Sequence, residues 1–463
     1  RSEPVPLERS PGRRLLRCVA LPATDGSARL DNAVDLTERA QTDGTEWTAP
    51  GGQWTVLFLE RFVPDTWKRH NIPRRNVNIL DRDAIACFLR LTHQRYANEL
   101  GDQLEQVDAF FTDEPQFGSA EYWGASGLLA ADPMVQWCDQ LPETFRERKG
   151  YDLLEVLPAL FVDAGPRTAA IRHDFYDVQS DLVAENYFGQ IRDWCRDHGL
   201  ASTGHMLLEE SLLFHVMFSG SMLKNWRRMD LPGVDLLGAS PYHTMGWWNR
   251  DIVPVPEDFS CKLAASVAHL TGKQGVFTES FALARETTLR RVKGVTAWQY
   301  ATGITHMTTY SIQNVLSAGD YAAFCDFAGR LAWLCRRGTH VAEVAVLVPE
   351  ASVWSTYTPP AGGRFKTYFE YNPDPLEIDT VFRNTCHRLL ASQQDFDALS
   401  DDLLADCTIR DGRLHLADES FGSLVLPECR ILRTDLLPKV TGFLQNGGHV
   451  VFVGALPAHT VGD

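Results

Sequence analysis

No two cysteines stand as C-x-x-C; the ten are scattered at positions 18, 87, 138, 195, 261, 325, 335, 386, 407 and 429. That is too sparse for a disulfide scaffold and carries no zinc-ligand spacing. Reduced thiols are expected, as in a cytoplasm, with secretion or a periplasm the alternative if a leader has been removed. No apolar run reaches membrane-spanning length, and no apolar signal core follows the N-terminus. The chain opens on Arg1 rather than Met, in a polar stretch rich in Pro and Arg, which reads as a mature or internal start. Basic charge is scarce too: 44 Lys and Arg against 60 Asp and Glu leave a formal −16. A nucleic acid wants a basic face and an anionic membrane a basic patch, so both partners are disfavoured, whereas a neutral sugar is not. The chain also lacks a G-x-S-x-G elbow, an H-E-x-x-H helix and a Cys-centred nucleophile signature.

What the chain does have is length and ordinary globular composition. Its 463 residues, 44% hydrophobic and 22% charged, can bury a sizeable core and suggest two or three domains. Residues 1–75 look β-rich, with strand-like runs at Leu15–Leu21 and Trp54–Phe62 separated by Asp-Gly and Pro-Gly-Gly turns. They read as a small antiparallel insert whose aromatics are structural.

Residues 76–338 alternate helical and strand-like sequence, the α/β pattern. Asp81 is a candidate N-cap and Gly101 a terminator, with Ala84, Phe88, Leu91 and Tyr96 roughly at helical spacing. Phe175–His198 is a long amphipathic run ending at Gly199, with Phe175, Leu182, Tyr187, Ile191 and Trp194 as its inward candidates. Strand-like runs end at Glu114, His205, Ser240, Glu279 and Tyr310, with helical sequence between them. A (β/α)8 barrel needs eight such units and places its chemistry at the C-terminal strand ends. Taken as strands four to eight, these leave the first three without a counterpart, so an incomplete or open TM-barrel-type catalytic domain is expected. Residues 339–463 read as a second α/β module, flavodoxin-like in pattern. They lack a G-x-G-x-x-G or P-loop, so no phosphate site is indicated, and Gly447-Gly448 is a helix stop.

The segment Val107–Phe117 organises the rest. It is an apolar, aromatic strand running into Asp113, Glu114 and Pro115, and the proline prevents the strand from continuing. Acidic residues often merely start loops. The recurrence of strands ending in polar residues downstream favours chemistry instead. Glycoside hydrolysis needs two carboxyl groups, one protonated to assist the leaving oxygen and one ionised. Glu114 and Glu279 are the candidate catalytic pair, expected about 6.5–9.5 Å apart for inversion and about 5–5.5 Å for retention. Glu114 needs a raised pKa, which like-charge repulsion from Asp113 would supply. His205, following Gly204, could orient a sugar hydroxyl, ligate a metal or hold a loop. Glu209 is a reserve carboxylate. Tyr242, His243, Trp247 and Trp248 lie on one loop, where aromatics stack on sugars or pack into the core. His306 and Tyr310 are expected on the same rim. Asp251, Glu257 and Asp258 could bind a hard cation, but nothing fixes their geometry.

Taken in order, Phe111-Thr112-Asp113-Glu114-Pro115, Gly150-Tyr151-Asp152-Leu153, Gly204-His205, Pro232-Gly233-Val234-Asp235 and Thr278-Glu279-Ser280 resemble glycoside hydrolase family 106, the α-L-rhamnosidase-like enzymes. Lys262, Ser266, His269 and Gly272-Lys273 add to the likeness. The resemblance implies a (β/α)8 catalytic domain with accessory domains and inverting hydrolysis of α-L-rhamnosides. It further implies Glu114 as general acid, Glu279 as general base and a calcium ion at the substrate, whose ligands no motif places. The family's leading barrel strands and its C-terminal β-sandwich domains are without a counterpart here. The rival expectations are a retaining β-galactosidase-like enzyme, which also couples a barrel to a flavodoxin-like domain, and an inert carbohydrate-binding protein. Oligomeric state is left open by the sequence.

Overall fold

The computed structural model describes residues 4–24, 27–42, 44–63, 67–69, 72–74, 77–117, 132–236, 259–282, 284, 287–360 and 372–462. The chain forms two compact units. One comprises residues 1–76, 118–178 and 354–372; the other comprises 77–117, 179–353 and 373–463.

The first unit is built on β1 (Arg14–Thr24) paired antiparallel with β2 (Gln53–Arg61), with an irregularity between Leu15 and Arg17. Alternation along β1 explains its two buried faces. Cys18 and Ala20 point into a cluster with Leu36 and Trp47, while Val19 and Leu21 pack with Ala28. The antiparallel reading of this region holds.

The second unit begins with a helix, Arg82–Leu91, capped by Asp81, whose side chain accepts from the backbone N–H of Asp83 and Ala84. The expected single helix is two: the first ends at Leu91, Thr92 departs from helical geometry at φ −116° and ψ −76°, and the chain restarts at His93. The inward face is also rotated from the expected one. Ile85, Leu89 and His93 are buried, whereas Leu91 and Tyr96 are 69% and 58% exposed. The long helical run to Asp197 is present, interrupted by a π-helical stretch at Ala184–Gly189, and Gly199 at φ +72° ends it.

Two parallel sheets follow. β3 (Ala109–Asp113) pairs with β4 (Ala201–His205), which sets His205 opposite Asp113. The second sheet joins β5 (Gly233–Leu236), β6 (Phe277–Ser280) and β7 (His306–Thr309), with Asp235 opposite Glu279. A parallel bridge from Thr203 to Leu231 connects β4 to the approach of β5. Helices Ser260–Leu270 and Leu289–Ala301 connect β5 to β6 and β6 to β7, so this is a mixed α/β fold of β-α-β units. No closed ring of strands forms among the described residues. Three strand ends shift by one residue from expectation: β3 stops at Asp113 and β7 at Thr309, whereas β6 continues through Glu279 to Ser280 and turns at Phe281, whose φ is +70°.

The C-terminal sheet is parallel, with β8 (Val344–Leu347) between β9 (Phe396–Leu399) and β10 (Ser423–Pro427), and β11 (His449–Val453) outside β10. In local numbering this is the order 2-1-3-4 of doubly wound modules. Its core holds Leu347, Leu399, Leu426 and Phe443. Gly448 lies so close to the Phe443 ring that a Cβ would sit 2.1 Å from it, and Gly447 has φ +95°, which explains the helix stop. An antiparallel hairpin array at Thr408–Phe421, turning at Asp411-Gly412 with φ +51° and +71°, was not anticipated. All ten cysteines are free. No helix among the described residues is long and apolar enough to cross a membrane.

Candidate active site

The site is assembled by backbone positions that only glycine satisfies. Gly204 has φ +142°, and a Cβ there would lie 2.1 Å from Thr112 O. Gly233 is as tight, its Cβ position falling 2.2 Å from Gly204 O. Without side chains at these two positions, β4 closes against β3 and the approach to β5. His205, one residue on, is thereby carried to the level of Asp113. Glu114 then leaves the strand in the left-handed region at φ +44°, immediately before Pro115. A non-glycine residue held there stores strain of about 1–3 kcal/mol, a feature that clusters at functional sites.

His205 is the hub. It is 1% exposed, and its Nε2 lies 3.3 Å from Glu279 Oε2 and 3.6 Å from Asp113 Oδ1. Asp113, Glu114 and His205 bring polar atoms within 4.8 Å of one another, and so do His205, Asp235 and Glu279. Burial lowers the imidazole's proton affinity. The hydrogen bond to Glu279 and the charges of Glu209 and Asp235 overcome this and push its pKa up to about 10. His205 is therefore a cation set among carboxylates, and the site balances negative charge around one fixed positive group.

The carboxylates do not share one environment. Burial pushes Glu114 above the usual carboxylate range, His205 opposes this, and the charges of Asp113 and Glu279 add to it. The expected cause, repulsion from Asp113, is present but secondary to desolvation. Asp235 is driven up to about 7 by burial, against the pull of His205 and with help from Glu279, Glu114 and Asp113. Its Oδ1 is buried without a hydrogen-bond partner.

Other expected residues fall into different places. Glu209 is 2% exposed and braces the backbone, accepting from Met206 N at 2.9 Å and Asp235 N at 3.1 Å. Burial raises its pKa well above the ordinary value, and a direct contact with substrate does not suit a side chain so enclosed. Tyr310 follows β7 and is 65% exposed, on the rim, with its backbone N–H donated to Ser280 O. His306 begins β7 instead, opposite Phe277 and bonded to Thr305 Oγ1, at the strand end away from Glu279. It does not join the carboxylates. Tyr242, His243, Trp247 and Trp248 lie outside the described residues, as do Asp251, Glu257 and Asp258. Asp235 was missed as a site residue. Its signal was an acid inside the apolar strand Gly233-Val234-Asp235-Leu236, where an unpaired carboxylate is costly.

Comparison with known proteins fixes the family. The α-L-rhamnosidase family, glycoside hydrolase family 106, matches residues 16–461. The chain belongs to glycoside hydrolase family 106. A putative beta-glucuronidase of Formosa agariphila is 21% identical over 444 residues, covering 90% of this chain and 33% of that protein. The rhamnosidase from Novosphingobium sp. PP1Y superposes with a TM-score of 0.59 at 19% identity, over 94% of this chain and 40% of the other. A beta-galactosidase from the haloarchaeon Halorubrum lacusprofundi reaches a TM-score of 0.52 at 14% identity, over 86% of this chain and 61% of its own. These likenesses at low identity concern the fold. The family 106 chain described here spans a third of the curated relative's length and two fifths of the rhamnosidase's.

Proposed function

We propose that this chain carries the hydrolytic site of an inverting glycosidase of the α-L-rhamnosidase type. Its five parallel strands correspond to strands four to eight of a (β/α)8 barrel. Glu114 is the general acid, transferring its proton to the glycosidic oxygen as the bond to the anomeric carbon breaks. Glu279 is the general base, taking a proton from the water that attacks that carbon from the opposite face. The observation that carries the reading is the contrast around His205. One glutamate is partly buried, with its pKa raised by that burial, while the other shares a hydrogen bond with the His205 imidazole. Two carboxyl groups in unlike environments are what acid and base roles require.

Asp113 and Tyr310 would meet the sugar from the exposed side. His205 acts by compensating the charge of Glu279. A calcium ion, implied by family membership, needs hard oxygen donors in number. Asp113 and Asp235 supply such oxygens, and the unpartnered Asp235 Oδ1 suits a cation. When bound, the ion would offer a positive charge to sugar hydroxyls.

The test is hydrolysis of aryl α-L-rhamnosides, with aryl β-D-glucuronides and β-D-galactosides as comparators, and NMR assignment of the first-formed anomer. Cleavage of the rhamnoside with inversion is expected, and Glu279→Gln should lower kcat about 10²–10⁴-fold. Retention of configuration, or a rate unchanged in the variant, would refute the assignment.

A further inference from the structure

A second polar cluster lies where helix Ser260–Leu270 meets the C-terminal sheet, among residues that the sugar chemistry does not use. His340 Nδ1 is 3.0 Å from Glu419 Oε1 and 3.5 Å from Asp397 Oδ2. Its Nε2 lies 3.1 Å from Asp395 Oδ2, and Lys262 Nζ holds the other oxygen of that carboxylate at 2.6 Å. His269 Nδ1 is 3.0 Å from Asp397 Oδ1. Asp397 is completely buried, and its Oδ2, aimed at His340 Nδ1, has no hydrogen-bond partner.

The candidate ligand atoms of His269, His340, Asp397 and Glu419 all lie within 4.8 Å of one another. If Nε2 carries the hydrogen donated to Asp395, Nδ1 turns a lone pair toward two carboxylate oxygens. Lone pairs at that range repel unless a cation lies between them. With both histidines neutral, formal charge points the same way: Asp395, Asp397 and Glu419 bring three negative charges and Lys262 returns one positive. A divalent ion balances the remainder.

We propose that His340 Nδ1, Asp397 Oδ2 and Glu419 Oε1 form a binding site for a divalent transition metal of the zinc type. Ligands about 2.0–2.2 Å from a tetrahedral Zn²⁺ lie about 3.3–3.6 Å from one another. The separations from His340 Nδ1, 3.0 and 3.5 Å, straddle the lower end of that range. The outer groups also fit. A ligating histidine commonly donates its second ring N–H to a carboxylate, the place Asp395 occupies with Lys262 steadying it. Lys262 Nζ stands 3.1 Å from Nε2, on the other side of the ring from the ion. His269 holds the second oxygen of Asp397, and its ring stacks on that of His340 at 3.9 Å. The fourth position is left to water or to His269. The site is structural, because it clasps a helix, the segment before β8, strand β9 and the hairpin strand Glu419–Phe421.

The test uses the full chain, stripped with a chelator and dialysed. Zn²⁺ is titrated by calorimetry and Co²⁺ by its visible absorption, with thermal unfolding followed in parallel. One equivalent is expected, with tetrahedral Co²⁺ bands and a Tm several degrees higher in metal. His340→Ala and the size-conserving Glu419→Gln should abolish binding and the Tm rise, while Glu114→Gln should keep both. Failure of the wild-type chain to bind micromolar Zn²⁺ would overturn the proposal and identify His340 as an imidazolium clamp. Undiminished binding in Glu419→Gln would overturn it equally.

Discussion

Asp113 and Glu114 are adjacent in sequence yet meet different surroundings. Asp113 is exposed at the strand end, whereas Glu114 turns back through the left-handed region into a partly buried position. Removing the neighbouring charge should therefore tune the acid without replacing it. Burial and the charges of Asp113 and Glu279 raise the pKa of Glu114, and activity falls as pH rises through that value because the proton to be donated is lost. Asp113→Asn should move the alkaline limb of the kcat/KM profile to lower pH, as steady-state rates across pH would show. His205 makes a second prediction. Its pKa in the folded protein is about 10, above the ordinary 6.5. Its contribution to stability is then complete below about pH 6.5 and lost as pH rises toward 10. Urea midpoints should fall over that interval in the wild type, and His205→Gln should remove that part of the decline. Asp235 shows what sequence conceals at this scale. Its position in an apolar strand is visible, but its approach to His205 depends on register between segments far apart in the chain.

At the scale of elements, the strands owe their arrangement to the glycines that let them approach. Gly204→Ala would put a methyl group into Thr112 O and strain a φ of +142°. Denaturant unfolding should report a loss of at least about 2–3 kcal/mol, with activity lost as His205 shifts away from Glu279. The elements themselves were largely legible. Alternation disclosed β1 and β2, Asp81 and Gly101 marked the ends of a helical segment, and each parallel strand appeared as an apolar run before a polar residue. What was not legible has particular causes. The chain restarts its helix at His93, and Ile85 and Leu89 rather than Leu91 and Tyr96 are the buried positions, a rotation of the inward face by about one residue that apolar spacing alone leaves open. His306 looked like a rim residue because the strand containing it was correctly placed, but it stands at the entry of β7 rather than its exit. The hairpin array at Thr408–Phe421 drew no strand reading, although Asp411-Gly412 is a hairpin signal.

At the scale of the molecule, acids distant in sequence meet because parallel strands present their C-terminal ends together. Net charge of −16 is compatible with this because the site carries its own buried cation. Fold similarity extends to beta-galactosidases, so architecture alone does not choose the sugar or the stereochemistry. The claim that the rest depends on is the division of labour between Glu114 and Glu279. It is tested most directly by comparing α-L-rhamnosides with good and poor leaving groups, dinitrophenyl against alkyl, in Glu114→Gln and Glu279→Gln. An acid matters only where the departing oxygen needs a proton. Glu114→Gln should therefore slow the alkyl glycoside by about 10²–10⁴-fold and leave the dinitrophenyl glycoside much less affected, while Glu279→Gln slows both. Equal slowing of both substrates in Glu114→Gln, or none in either, would contradict the account.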